Sequence, residues 1–249
     1  MKKYLPKIHM STWLYLGLCF YCRWYKESLL LMAIILFHEY CHVLVSFWYG
    51  YEIEEITLYP FGAFLKMKDD GSHEIHEDLK VALAGCVGHL FLLGISPLFK
   101  QIFGWHLYRY YLQFNLQILC FNLLPIDPMD GSKILQCLLS YFLDYLLCIK
   151  INLYISLLAY LVFLKMTWDL SYSVIYLFLA YRIYCFSQDY YYRYLTFLIQ
   201  RKPSKRRKEV MHTKPILLRN KQNYYLFKGQ ILDEKTFIKS RFFIDNSGY

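Results

Sequence analysis

Charge is scarce in this chain, and the scarcity excludes a soluble globular domain first. Of 249 residues only 19% are charged, against 57% hydrophobic and 20% aromatic, and the mean hydropathy is +0.24. That composition belongs to a polytopic membrane protein. A signal-peptide cleavage site is also lacking. Met1-Lys2-Lys3-Tyr4-Leu5-Pro6 has the charged start of a leader, but no small-residue site follows, and the first apolar run leads straight into another. It reads as a retained first span. Nor are the eight cysteines placed as a disulfide framework. Most lie inside apolar runs, where a thiol acts as a small hydrophobe. Cys19-Phe20-Tyr21-Cys22 is a single CxxC within the first span, with no surrounding pattern that would make it a redox or metal centre.

The charge that is present is uneven. The net charge is +9, and Arg201-Lys202-Pro203-Ser204-Lys205-Arg206-Arg207-Lys208 holds six positive residues in eight positions. Because this run follows the last apolar segment, it reads as a cytoplasmic anchor at the bilayer surface and not as a nucleic-acid patch.

Apolar windows suggest about six spans, at Thr12–Tyr25, Glu27–Trp48, Val81–Phe99, Leu107–Leu124, Asn152–Met166 and Ser171–Phe186. The stretch Glu52–Met67 alternates in part and contains a Pro-Phe-Gly turn, so a β-hairpin or ribbon is expected between spans two and three. Lys68–Asp78 reads as a polar loop. Gly85, Gly88 and Gly94 in the third span allow close helix approach. Pro125-Ile126-Asp127-Pro128-Met129-Asp130-Gly131 breaks the chain after the fourth span, and irregular backbone at that depth must line a protein cavity. A helix with Asp144 inside it resumes over Ile134–Ile149. The fold class expected is therefore an all-α polytopic membrane protein with a small β-ribbon and a short cytoplasmic α+β tail. Its domains are a six-span unit over 1–200 and a basic linker with a C-terminal module over 201–249. An even number of spans puts both termini on the cytoplasmic side.

His38-Glu39-Tyr40-Cys41-His42 lies within this apolar setting. HExxH on a helix sets two imidazoles one turn apart on one face, so that both can bind one Zn²⁺ while the glutamate serves as general base for water. Three ionisable groups inside a span are costly unless they bind something. At the helical rise His42 is roughly 12 Å from Gly50, within the membrane but nearer the cytoplasmic face. A catalytic zinc needs a third protein ligand, and the broken segment offers Asp130, with Asp127 as a competitor.

Phe121-Asn122-Leu123-Leu124-Pro125-Ile126-Asp127-Pro128-Met129-Asp130-Gly131 resembles the NxxPxxPLDG signature of the site-2 protease family of intramembrane zinc metalloproteases. Tyr59-Pro60-Phe61-Gly62 resembles that family's LPFGG stretch, and Ala84-Gly85-Cys86-Val87-Gly88-His89 its AGPxxH. The resemblance covers about residues 8–200 and implies that Asp130 is the third zinc ligand beside His38 and His42. It implies further that Glu39 is the catalytic base and that Asn122, with Pro125 in the same motif, holds the substrate strand. His89 would point toward the site. Cys41, Ala63, Cys86 and Ser132 depart from the family pattern, but none of these departures removes a ligand or the base.

The arrangement is most similar to the sporulation members of the family. That similarity implies a membrane-associated pro-sigma factor, pro-sigma-K, as substrate, and inhibitory membrane proteins as further partners. Those members carry a CBS-like nucleotide-sensing module after the last span. Here Asn223–Phe227, Lys228-Gly229 and Gln230–Asp233 read as strand, turn and strand before a short helix, room for a truncated one at most. Relatives that cut anti-sigma factors or remnant signal peptides carry a PDZ module, and no insertion here is large enough for one. A non-catalytic membrane adaptor or metal-binding protein is the remaining alternative, and it would not need Glu39. His73 and His76 read as solvated loop residues, and Asp144 and Asp169 as helix-end or packing residues.

Overall fold

The computed structural model describes residues 7–59, 62–67, 73–167, 169, 172–201, 207–213, 216–227 and 229–242. The chain divides into two compact units, Met1–Lys68 with Lys80–Leu124, and Asp69–Leu79 with Pro125–Tyr249.

The first unit starts with β1 (Lys7–Ile8), α1 (Met10–Tyr21) and α2 (Tyr25–Trp48). The expected ribbon follows as β2 (Ile53–Tyr59) and β3 (Gly62–Met67). These two pair antiparallel from Ile53 opposite Met67 to Tyr59 opposite Gly62, and β1 adds in parallel on the far side of β2. β3 is therefore an edge strand. Pro60 and Phe61 of the expected turn lie outside the described residues. α3 (Ile75–Gly94), which belongs to this unit from Lys80 onward, and α4 (Ser96–Asn122) come next.

α3 begins earlier than the expected third span and takes in the end of the expected polar loop, of which 68–72 lies outside the described residues. Glu77 and Asp78 occupy its first turn, where acids favour the positive helix end. The Glu77 carboxylate also accepts the Glu74 amide at 3.1 Å, half of a capping box. The third span does not run straight to Phe99. Beyond Gly94 the chain turns by 53° into the start of α4, which carries proline in its first turn, where its missing N–H is harmless. Gly104, at φ 72° and ψ 173°, breaks α4 again. The apolar core of this unit is Ile34, Leu92 and Tyr111, one residue from each of α2, α3 and α4.

The second unit contains α5 (Asp130–Ser140), α6 (Tyr145–Met166) and α7 (Ser173–Gln200). A single helix through Ile134–Ile149 was expected, but Asp144 divides it. Its carboxylate caps α6 by accepting the amides of Leu146 and Leu147, the usual work of an N-terminal aspartate, so α6 starts at Tyr145 and not at Asn152. The tail forms β4 (Lys208–His212), β5 (Lys221–Phe227), β6 (Gln230–Asp233) and α8 (Glu234–Phe242). β4, which the sequence pattern did not reveal, pairs in parallel with β5. Leu217 joins Tyr145, Ile149, Phe186, Phe197 and Leu198 in one buried cluster, and its amide donates to Asp144 Oδ1 at 2.6 Å.

Arg201 and Arg207, expected in a surface anchor, are buried, while 202–206 lies outside the described residues. Arg201 pairs with Glu234 at 2.8 Å. Burial pulls its guanidinium down to about 10, against the opposing pull of Glu234.

Of the six expected spans, α2 and α6 are long and apolar enough to cross a membrane, and the bent pair Ile75–Gly94 with Ser96–Ile102 makes a third. α1, with 12 residues, is roughly 18 Å long, short of a hydrocarbon core of about 30 Å. α7 is interrupted by Arg182, Asp189 and Arg193. The chain is mostly helical, with two small three-stranded sheets among the described residues.

Candidate metal centre

α2 brings His38 and His42 to one face by their spacing of one turn. Both are buried, with 3% and 6% of their surface exposed. Their Nε2 atoms stand 3.2 Å apart. The Nδ1 of His42 lies 2.7 Å from the carbonyl oxygen of Val81 on α3. A carbonyl can only accept, so Nδ1 carries the proton and Nε2 is left with its lone pair turned toward His38. Metal-ligating imidazoles are commonly fixed by such a bond.

The close fit of α3 on this face depends on glycine. A Cβ at Gly85 would come within 2.5 Å of His42 Nε2 and 2.6 Å of His38 Nδ1, and one at Gly88 within 2.6 Å of Cys41 Sγ. His89, further along α3, is fully buried, and its ring centre is 4.9 Å from that of His38. Asn115 of α4 grips it twice. The Asn115 Nδ2 donates to the His89 carbonyl at 3.3 Å, which orients the amide so that Oδ1 accepts the His89 Nδ1–H. Glu39, between the two histidines in the chain, is half-buried on α2.

Asp130 is the first residue of α5 and is 6% exposed. The chain on either side of it is tied down from α6 by two side chains one turn apart. Ser156 Oγ donates to the Pro125 carbonyl at 2.9 Å, and Asn152 Nδ2 donates to Ser132 Oγ at 2.8 Å. The peptide bond between Asp127 and Pro128 is cis. Asp127, the sequence competitor for the metal, is paired with Arg182 and Arg193.

His38 and His42 each offer a ligand nitrogen, and Asp130 offers a carboxylate oxygen of the kind a third ligand supplies. The residues present suit zinc. Two nitrogens about 2.0–2.1 Å from one ion in a tetrahedral arrangement stand roughly 3.3 Å apart, close to the 3.2 Å between the two imidazoles. Two neutral imidazoles with one carboxylate form a donor set that leaves a fourth position for water or substrate.

Asn122 is half-buried at the end of α4, its Nδ2 donating to the Ile118 carbonyl at 3.1 Å. Pro125 is half-buried on the other side of the break. His73 lies 3.3 Å from Glu77 and His76 3.2 Å from Glu74. No disulfide joins any of the eight cysteines among the described residues. Sequence reasoning did not single out Asn115, Asn152, Ser156, Arg182 or Arg193. The available signal was a polar side chain inside an apolar run, which in a membrane marks a partner or a site.

Residues 27–103 match Peptidase family M50. The solved site-2 protease from Methanocaldococcus jannaschii superposes with a TM-score of 0.56 at 28% identity, covering 73% of this chain and 90% of that one. The chain is thus similar to the site-2 proteases in family, sequence and fold, and this supports a metalloprotease. Among individual relatives, stage IV sporulation protein FB of Bacillus subtilis is 27% identical over 88% of this chain and 78% of its own length. A zinc metalloprotease of Methanocaldococcus jannaschii is 35% identical over 51% of this chain and 38% of its own length.

Proposed function

We propose that this chain is an intramembrane zinc metalloendopeptidase that cuts a membrane-associated protein near the cytoplasmic face, and that its substrate is a sporulation sigma factor still joined to its pro-sequence, pro-sigma-K. The observation that carries the reading is the pair of buried imidazoles one turn apart on α2, their Nε2 atoms 3.2 Å apart and His42 held through Nδ1 by the Val81 carbonyl. The similarity to stage IV sporulation protein FB over most of the chain supports the sporulation role. The proposal places the protein as a multi-pass membrane protein with both termini cytoplasmic, held in check by inhibitory membrane partners.

His38, His42 and Asp130 would hold Zn²⁺, which supplies Lewis-acid polarisation of the scissile carbonyl and a water acidic enough to attack at neutral pH. Glu39 takes the proton from the attacking water and delivers it to the leaving amine. The Val81 carbonyl keeps His42 in the tautomer whose Nε2 can donate its lone pair. A helical substrate has its amides satisfied internally, so it must be drawn out before a peptide bond is accessible. β3 at the sheet edge offers unpaired backbone groups for strand addition. Asn122, whose Nδ2 is committed to Ile118, offers its amide oxygen to a substrate N–H, with Pro125 beside it.

The test is co-expression with pro-sigma-K, comparing wild type with Glu39→Gln and Asp130→Ala by gel shift of the substrate. Cleavage by wild type alone is expected, with Glu39→Gln lowering the rate by about 10²–10⁴-fold while retaining metal. Equal cleavage in all lanes would overturn the mechanism. Cleavage in none, with metal bound, would overturn the substrate.

A further inference from the structure

The residue that competes for the metal in the sequence has a different place in the structure. Asp127 is three residues before Asp130, and its carboxylate faces two guanidinium groups of α7. Arg193 Nη1 donates to Oδ1 at 3.0 Å and its Nη2 to Oδ2 at 3.4 Å, a two-pronged contact. Arg182 Nη2 donates to Oδ2 at 3.3 Å. The arginines lie about three turns apart on α7, so they reach the one carboxylate from either side along the helix. Arg193 is further steadied by stacking on Phe186, its guanidinium carbon 4.6 Å from the ring centre. The Asp127 side chain is 14% exposed, against 26% for Arg182 and 40% for Arg193.

Isolated arginines in an apolar helix are costly, and each needs a counter-charge. Here the two arginines that interrupt α7 share one carboxylate. That carboxylate sits on the segment that introduces Asp130, whose other side is held by Asn152 through Ser132.

We infer that Asp127, Arg182 and Arg193 form a positioning clamp, in which α7 holds the broken segment so that Asp130 is presented as a metal ligand. The inference rests on the reading of Asp130 as a ligand and adds three residues that never touch the metal. Bidentate arginine–carboxylate contacts fix orientation as well as distance, which a ligand carried on irregular backbone needs more than one carried mid-helix. His38 and His42 inherit their spacing from α2, whereas Asp130 inherits its place from what grips the residues around it. Supporting contacts of this kind change metal affinity without contributing a donor atom.

The experiment uses the full chain in detergent, loaded with Co²⁺ as a spectroscopic probe. Chelator competition is measured well below the unfolding temperature. Asp127→Asn and Arg193→Gln are expected to lower the chelator concentration for half-removal by about 10–100-fold and to alter the visible cobalt bands. Asp127→Glu should recover most of the loss. The double variant Asp127→Asn with Arg193→Gln should be no worse than the poorer single one, as for residues acting through one contact. Arg193→Gln leaves Asp127 its Arg182 contact and serves if Asp127→Asn does not fold. Wild-type affinity and spectrum in both single variants, with Asp130→Ala losing the metal, would overturn the clamp and leave the metal centre standing. Wild-type affinity in Asp130→Ala would instead overturn the ligand reading on which the clamp rests.

Discussion

Gly85 shows how much of the site depends on a side chain that is not there. Helix α3 lies against the two imidazoles with no room for a methyl group between them, so Gly85→Ala must displace His38, His42 or the helix itself. We expect Gly85→Ala to cost about 1–3 kcal/mol of stability and to lower metal content, measured by atomic absorption on purified protein. Gly94→Ala is the matched control. Nothing lies within 4 Å of its added Cβ, so it should retain metal and gain up to about 1 kcal/mol. At this scale HExxH was legible from the sequence because helix periodicity alone puts His38 and His42 together. Gly85 was legible only as a small packing residue, since nothing in its spacing reveals which side chains it faces. Asn115 was not legible at all. Its bonds to His89 join α3 to α4, and a contact between distant segments leaves no local pattern.

At the scale of elements, the breaks were harder to read than the helices. Asp144 stood inside an expected helix, yet it ends the connection from α5 and caps α6. Aspartate is a poor interior helix former and a good cap, and only the structure chose between those roles. The tail differs from its expectation in a related way. A run of basic residues reads as a solvated anchor, but Arg201 is 3% exposed, paired with Glu234, and donates to the Lys221 carbonyl at 2.6 Å. Removing one partner of a buried pair strands the other's charge, at a cost of about 3–5 kcal/mol. Arg201→Ala should therefore loosen the tail from α7, seen as earlier proteolysis within 207–242 and a lower Tm. Arg201→Lys should recover only part, because an ammonium cannot reach both Glu234 and the backbone carbonyl with a planar fork.

For the whole molecule, each unit has its own apolar cluster, Ile34, Leu92 and Tyr111 in the first and the Tyr145–Leu217 group in the second. Neither cluster includes His38, His42 or Asp130. Stripping the metal with a chelator should thus abolish cleavage while leaving the helical circular dichroism nearly unchanged, with activity restored by added Zn²⁺. Loss of helicity on chelation, as in small zinc domains that fold only with metal, would contradict this. Composition by itself determined that the chain is a membrane protein, because so little charge cannot clothe a soluble surface. The HExxH spacing determined that His38 and His42 share one face of a helix, because a helix repeats every 3.6 residues. Tertiary structure alone decided which helices bend and where the tail docks. It also decided that Asp127 faces two arginines, because those outcomes depend on contacts between segments far apart in the chain, and no local pattern encodes them.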